Sequence, residues 1–571
     1  MNLNILLCLV LVATISCNPI VEAGGQDWWQ TAVFYQIYPR SFKDSDNNGI
    51  GDLQGIISKL DHLKDAGVTA TWLSPIYKSP GVDQGYDISD YRDIDPIFGT
   101  LEDFKQLLAK AKELGIKVIL DYVPNHTSDE HEWFKKSLEN DNEYNDYFIW
   151  AEGRNNNTEP PNNWVSHFKG PAWTFRKERG LWYLNKFAPQ QPDLNYRNPK
   201  VVQAMKDVLN FWMDLGVDGF RVDTIPDLFE VEDLRDEPRS DDASATPNDY
   251  EYLSHIYTQD LDETYDMVYQ WRELLDEHQK TNGGDTRVLM TEVYSDFEKN
   301  IKYYGLPDGS RRGAHFSFNF ELIVKVNEGS SSMDILTIID RWVDNLPEIY
   351  TPNWVLGNHD QHRYPSRLGP ENRDSFMMLQ SMLPGVQVTY NGEEIGMEDG
   401  QVSCDEGADP QAIKNCSIFD AVSRDFERTP FQWDESVNAG FNDGGRTWLP
   451  VSDKYLENNL KKQKEGVRSY YNTFKSLIDI RKELTLKVPT KTALLKESVM
   501  AISRPINDCR AYHFLYNRHG DTKEVDIPYG LDDSKYTVVA SKLTSQHIIG
   551  DEVSQQIKLD PNDSLIVRET C

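Results

Sequence analysis

Short runs of β-branched and aromatic residues alternate along this chain with longer stretches whose apolar positions recur every three or four residues. Eight such runs can be counted, at 33–38, 69–74, 117–123, 217–223, 288–292, 314–318, 353–357 and 386–390. The stretches 101–114 and 201–215 show the helical spacing between them most clearly. Strand runs separated by amphipathic helices predict an α/β fold with a parallel sheet and crossover helices. Eight units in succession predict that the sheet closes into a (β/α)8 barrel.

Two intervals are too long to be plain connections. Residues 125–198 mix Trp, Pro, Asn and Gly in irregular order and predict a small domain inserted after the third strand, splitting the barrel into 24–124 and 199–488. Residues 393–450 form a second excursion after the eighth strand, and 230–249 an acidic, Pro-containing loop after the fourth. From 489 to 571 the helical period gives way to alternation, as at 511–516 and 536–540, predicting a C-terminal antiparallel β-sandwich.

A length of 571 residues with 39% apolar content fits one large globular domain with smaller attachments. The formal charge of −33 argues against nucleic acid or an anionic membrane as partner. Residues 3–15 are largely apolar, and Val21-Glu22-Ala23 has the form of an export cleavage site, so residues 1–23 are expected to be a signal peptide. The mature protein is then secreted, and no later stretch approaches membrane-spanning length. Cys8 and Cys17 leave with the signal; Cys404, Cys416, Cys509 and Cys571 remain, an even number in an oxidising compartment. Four cysteines allow three pairings, of which Cys404 with Cys416 and Cys509 with Cys571 is preferred for the short loop it closes. Asn156, Asn415 and Asn562 head glycosylation sequons expected on the surface, while Asn125 heads one expected to be buried.

Acidic residues stand where predicted strands end: Asp223 after Gly219-Phe220-Arg221-Val222, Glu292 after Val288-Leu289-Met290-Thr291, and Asp360 after Gly357-Asn358-His359. One acidic residue after a strand is most simply a helix cap. Three on separate strands, accompanied by Arg221, His126 and His359, predict a site on the rim where βα loops converge. Gathered carboxylates repel, so one keeps a proton while another stays ionised. Double-displacement glycoside hydrolysis needs that division.

The segments Asp121-Tyr122-Val123-Pro124-Asn125-His126, Gly219-Phe220-Arg221-Val222-Asp223, Thr291-Glu292-Val293 and Gly357-Asn358-His359-Asp360 resemble the ordered motifs of the α-amylase superfamily, glycoside hydrolase family 13. Gln191-Pro192-Asp193-Leu194-Asn195 is similar to the motif of its oligo-1,6-glucosidase and maltase branch, and flanking blocks between residues 33 and 448 resemble the insect maltases.

The resemblance implies a retaining, exo-acting α-glucosidase acting on small α-glucoside sugars. Asp223 is implied as nucleophile, Glu292 as acid/base and Asp360 as the carboxylate that grips the sugar. A retaining pair stands about 5–5.5 Å apart. Arg221, on the same strand face as Asp223, is expected to hold that nucleophile ionised. His126 and His359 resemble hydroxyl-binding histidines. Asp83 and Tyr86 resemble residues that meet the terminal glucose, with Arg424 as the partner of Asp83. Phe168, Phe187 and Gln191 are expected to line the pocket from the inserted domain, and Thr224 implies a leaning to α-1,4 links over α-1,6.

The loop Asp44-Ser45-Asp46-Asn47-Asn48-Gly49-Ile50-Gly51-Asp52 places oxygens at alternate positions. Alone it reads most simply as a solvated turn. The resemblance implies a structural Ca2+ held by Asp44, Asp46, Asn48, Asp52 and the Ile50 carbonyl. Two alternatives share the fold: a glucosyl-transferring or isomerising enzyme, and a non-catalytic binding or receptor protein. The first is distinguished by its products, the second by loss of a carboxylate, and all three are present.

Overall fold

In a computed structural model, residues 26–570 are described apart from 414, 485, 487, 508–509 and 531–533. The expected signal peptide and the Cys509–Cys571 pairing therefore lie outside the described residues. Eight parallel strands form the centre: β1 (Val33–Ile37), β2 (Ala70–Leu73), β3 (Lys117–Tyr122), β4 (Gly219–Val222), β5 (Val288–Thr291), β6 (Phe316–Ser317), β7 (Asn353–Val355) and β8 (Val386–Tyr390). Their order is 6-5-4-3-2-1-8-7, so each strand lies beside its neighbours in sequence and β1 meets β8. Nearly every strand residue is buried, as expected when helices cover a parallel sheet.

At the seam between β6 and β7 a side chain replaces the backbone ladder. Asn353 Nδ2 donates to the Ser317 carbonyl at 2.6 Å, and its Oδ1 accepts from Asn319 N at 2.9 Å. The run predicted at 314–318 accordingly shortens to two ladder residues, Phe316 and Ser317.

The outer layer consists of α1 (Leu53–Ala66), α2 (Leu101–Leu114), α3 (Pro199–Leu215), α4 (Asp262–Asn282), α5 (Ser332–Asn345), α6 (Arg373–Met382) and α7 (Tyr470–Glu483). Their ends are written locally. Thr100 and Asp103 form a capping box at the start of α2, and Gly115 at φ 72° ends it and turns the chain into β3.

Between β3 and α3 the chain builds a three-stranded antiparallel sheet from Trp150–Ala151, Leu181–Leu184 and Trp173–Arg176. Trp164, Trp173 and Leu184 give this segment its own apolar cluster. Lys186 fastens it to the barrel, since its buried ammonium lies 3.1 Å from Asp193 and 3.0 Å from Glu230, beyond the end of β4. The C-terminal region is a six-stranded antiparallel sheet over which the pair Lys523–Asp526 and Gln556–Leu559 packs, with Val499, Leu515, Val525, Leu559 and Val567 between the layers. The excursion after β8 is closed by the expected Cys404–Cys416 disulfide, with Cα atoms 5.6 Å apart. Asn156 and Asn415 are exposed, Asn562 is half-buried and Asn125 is buried. No helix among the described residues is long and apolar enough to cross a membrane.

Candidate active site

Alternation along β4 sends Arg221 and Asp223 to the same side, into the barrel mouth. Asp223 N continues the ladder by donating to the Tyr122 carbonyl at 2.8 Å, and Glu292 N donates to the Val222 carbonyl at 2.9 Å. Both carboxylates are thus placed by the backbone of the adjacent strand. One buried guanidinium serves three of them. Arg221 Nη1 lies 2.9 Å from Asp121 and 2.5 Å from Asp223, and Nη2 lies 2.5 Å from Glu292. The Arg221 cation also rests over the Trp72 ring at 4.9 Å.

These groups open onto a cavity of about 560 Å³. Asp83, Tyr86, His126, Phe168, Phe187, Asp223, Thr224, Glu292, His359, Asp360 and Arg424 all line it, as expected. Arg221 and Gln191 stand behind the wall. The expectation that Gln191 lines the pocket is corrected: its side chain is buried, accepts from Ala188 N and donates to Asp83 at 3.1 Å. It orients Asp83 from behind.

The closed end of the cavity is a lattice of opposite charges. Arg424 contacts Asp83 at 2.9 Å, Asp409 at 2.8 Å and Asp360 at 3.2 Å, and Arg428 reaches Asp360 at 2.8 Å. The Arg424 plane also lies over Phe168 at 5.4 Å. Sequence reasoning misses Asp409 and Arg428 because both sit in the irregular excursion after β8, where no period marks a facing direction.

Two histidines present neutral rings. His359 stacks on Tyr86 with centroids 5.4 Å apart and 8° between planes. Its Nδ1 accepts from Gln36 at 2.8 Å, which leaves the proton on Nε2, 2.7 Å from the Tyr86 oxygen. The Tyr86 hydroxyl then donates to Asp121 at 3.1 Å. His126 accepts from Asn125 at 3.1 Å and donates through Nε2 to the Tyr86 carbonyl at 3.1 Å. Burial lowers His126 to about 4 and His359 well below its ordinary value, so both remain uncharged at neutral pH.

Burial raises the carboxyls of Asp223 and Glu292, while Arg221 pulls both the other way and each is raised further by a neighbouring carboxylate. Arg221 draws Asp223 toward its ionised form, yet the cation is not reserved for Asp223. It is divided among Asp121, Asp223 and Glu292, so the three carboxyls titrate as one group. Asp360 behaves differently: burial would raise it, but the Arg428 and Arg424 guanidiniums hold it well below the carboxylate range.

Thr224 follows Asp223 at φ 40°, strained for a β-branched residue. It is clamped there by Asp227, which accepts from its hydroxyl at 2.9 Å, and by Glu292, which accepts from its backbone N–H at 2.8 Å. Asp227 in turn meets His167 at 3.2 Å. His167 lies in a stack with Phe187 at 4.6 Å and Tyr250 at 3.8 Å, which joins the inserted segment to the loop after β4. Nothing in sequence spacing brings these three together; only the tertiary fold does.

At the loop after β1, carboxylate oxygens of Asp44, Asp46 and Asp52 lie within 4.8 Å of one another. Asp44 is further oriented by Gly49 N at 2.9 Å and Asn442 at 3.0 Å. Gly49, at φ 99°, leaves no room for a side chain, because a Cβ would stand 2.5 Å from the Arg446 carbonyl. Hard oxygen donors converging on a braced loop suit a divalent cation such as Ca2+.

The catalytic-domain model of the alpha-amylase family matches residues 36–488, and the chain belongs to that family. It is 46% identical to Maltase 1 of Drosophila virilis over 99% of this chain and 91% of that protein. It is 48% identical to a salivary alpha-glucosidase of Aedes aegypti over 81% of this chain and 80% of that one. Among solved structures it is similar to an alpha-glucosyl transfer enzyme, XgtA, with a TM-score of 0.84 and 32% identity over 95% of this chain and all of that one.

Proposed function

We propose that this chain is a secreted, retaining, exo-acting α-glucosidase that removes terminal α-1,4-linked glucose from maltose, sucrose and short oligosaccharides. The observation that carries the reading is the pair Asp223 and Glu292, bridged by Arg221 on adjacent strands, in a cavity whose far end is closed by Arg424, Asp83 and Asp360. The Asp223 carboxylate attacks the anomeric carbon as Glu292 passes its proton to the departing oxygen, which leaves with the aglycone. Water then attacks the same carbon, Glu292 takes its proton, and the bond to Asp223 breaks. Asp360, held ionised by two arginines, grips sugar hydroxyls and offsets the positive charge that develops. The paired charges of Asp83, Asp360, Arg424 and Arg428 form a wall against which a sugar chain would end, which favours exo action. Thr224 at the wall favours α-1,4 links.

Time-resolved NMR of p-nitrophenyl α-glucoside cleavage, in which all the glucose comes from the glycosyl side, tests the stereochemistry: α-glucose should appear first, and first-formed β-glucose would overturn the double displacement. The likeness to an α-glucosyl transfer enzyme favours some transfer to sugar acceptors at high concentration. Chromatography should still show free glucose as the main product of dilute maltose. Thr224→Val is expected to raise the isomaltose-to-maltose ratio of kcat/KM by about tenfold.

Secretion is supported by the likeness to a salivary enzyme and by the exposed sequons at Asn156 and Asn415. A structural Ca2+ is proposed on Asp44, Asp46, Asn48, Asp52 and the Ile50 carbonyl, where its role is to hold the loop that enters α1. At a hundredfold excess over Kd such an ion contributes about 2.7 kcal/mol. Chelation should therefore lower Tm in wild type and leave it unmoved in Asp46→Ala. An unchanged wild-type Tm would remove the ion from the account.

A further inference from the structure

A second group of metal-ligating side chains lies on the wall of the cavity, apart from the three strand-end carboxylates. His362 Nδ1 stands 2.8 Å from Asp399 and 3.8 Å from Glu427, and one ligand atom from each of the three falls within 4.8 Å of the others. The Glu427 side chain is 1% exposed. Its Oε2 is buried and finds no hydrogen-bond partner. A buried carboxylate oxygen without a donor is costly, and a bound cation or a proton would satisfy it.

The three ligands are held from outside. Asp399 accepts from Arg363 N at 2.7 Å, and its own N–H donates to Ser366 at 2.9 Å. The His362 ring packs against Phe426 with centroids 5.6 Å apart. Arg428, next to Glu427 in sequence, directs Nε to the His359 carbonyl at 2.6 Å and Nη2 to Asp360 at 2.8 Å. Neither nitrogen is turned to Glu427.

We propose that His362, Asp399 and Glu427 form a binding site for a divalent transition-metal ion, best matched by Zn2+, at the wall of the sugar cavity. One imidazole nitrogen with two carboxylates suits zinc better than calcium or magnesium, which take oxygen ligands almost throughout. Zinc ligands at about 2.0–2.2 Å stand roughly 3.4 Å apart around a tetrahedron. The observed 2.8 and 3.8 Å straddle that spacing, so small side-chain rotations close the site. Three protein ligands leave a fourth position, open to the cavity that His362 and Glu427 line. The ion therefore acts as a reversible brake on sugar entry, and this holds whatever sugar the cavity takes.

The test uses the intact, chelator-treated protein in excess Ca2+, so that the loop after β1 is not available to zinc. Titration calorimetry with ZnCl2 should give one tight site per chain. Asp399→Asn, which can keep its contact with Arg363 N, should weaken that site about a hundredfold without changing the metal-free Tm. Crystals soaked in zinc should show an anomalous peak between the three residues. Maltose turnover should show a zinc-dependent rise in KM that the variant lacks. No binding below about 100 μM zinc, binding unaltered by Asp399→Asn, or a peak elsewhere would overturn the site, and Glu427 would then be a protonated structural acid.

Discussion

Asp223→Asn is expected to lower kcat/KM for maltose by about 10⁵-fold while the protein stays folded. The magnitude follows from removing a nucleophile from a unit whose members act together, where single deletions cost about as much as several. Folding should survive because the change removes a buried negative charge from a cluster that holds three carboxylates against one guanidinium. The amide oxygen of the new side chain can still accept from Arg221, and the backbone bond from position 223 to the Tyr122 carbonyl is untouched. Two readouts separate a lost nucleophile from a damaged site. An activated glucosyl fluoride should give no covalent intermediate by mass spectrometry in the variant, and maltose should still bind with a Kd within about tenfold of the wild-type KM. Activity within about tenfold of wild type would remove Asp223 from its role and return the nucleophile to another carboxylate of the cluster.

The barrel was legible because its strands are buried on both faces and its helices on one. Runs such as 117–123 and the period of 101–114 survive without tertiary information. The strand-end acids were legible for a related reason. A parallel barrel gives a direction to every strand, so position in sequence becomes position on the rim. The closed end was only half legible. Asp83 and Arg424 follow from the family resemblance, whereas Asp409 and Arg428 complete the same charge lattice from a loop without period. Gln191 shows the other limit. Its motif predicts proximity to the pocket, yet only packing decides whether a side chain faces the sugar or the residue that does. The sharing of Arg221 was also invisible. Sequence places the cation two residues from Asp223, but the contacts to Asp121 and Glu292 come from neighbouring strands in register.

That sharing makes Arg221→Met the most damaging single change to stability in the site. The side chain is 1% exposed and fills the space beneath three acids, so methionine preserves much of the volume and removes only the charge. Breaking a buried ion pair by deleting one partner costs about 3–5 kcal/mol, because the other charge is left uncompensated. Here three carboxylates lose their common cation. They respond by holding protons, which raises their folded-state pKa further above the unfolded value. Over the pH range between those values the folded protein binds more protons than the unfolded chain, and stability falls as pH rises. The deficit relative to wild type should therefore be smallest near pH 4, where about half of the unfolded carboxyls are also protonated, and grow toward pH 7. Thermal melts of both proteins across that range measure it. Activity at neutral pH should drop at least about 10³-fold, since neither an ionised Asp223 nor a correctly placed Glu292 survives the loss of the guanidinium. A deficit independent of pH would mean that Arg221 acts through packing on Trp72 alone, and the cluster would then have to divide its protons without it.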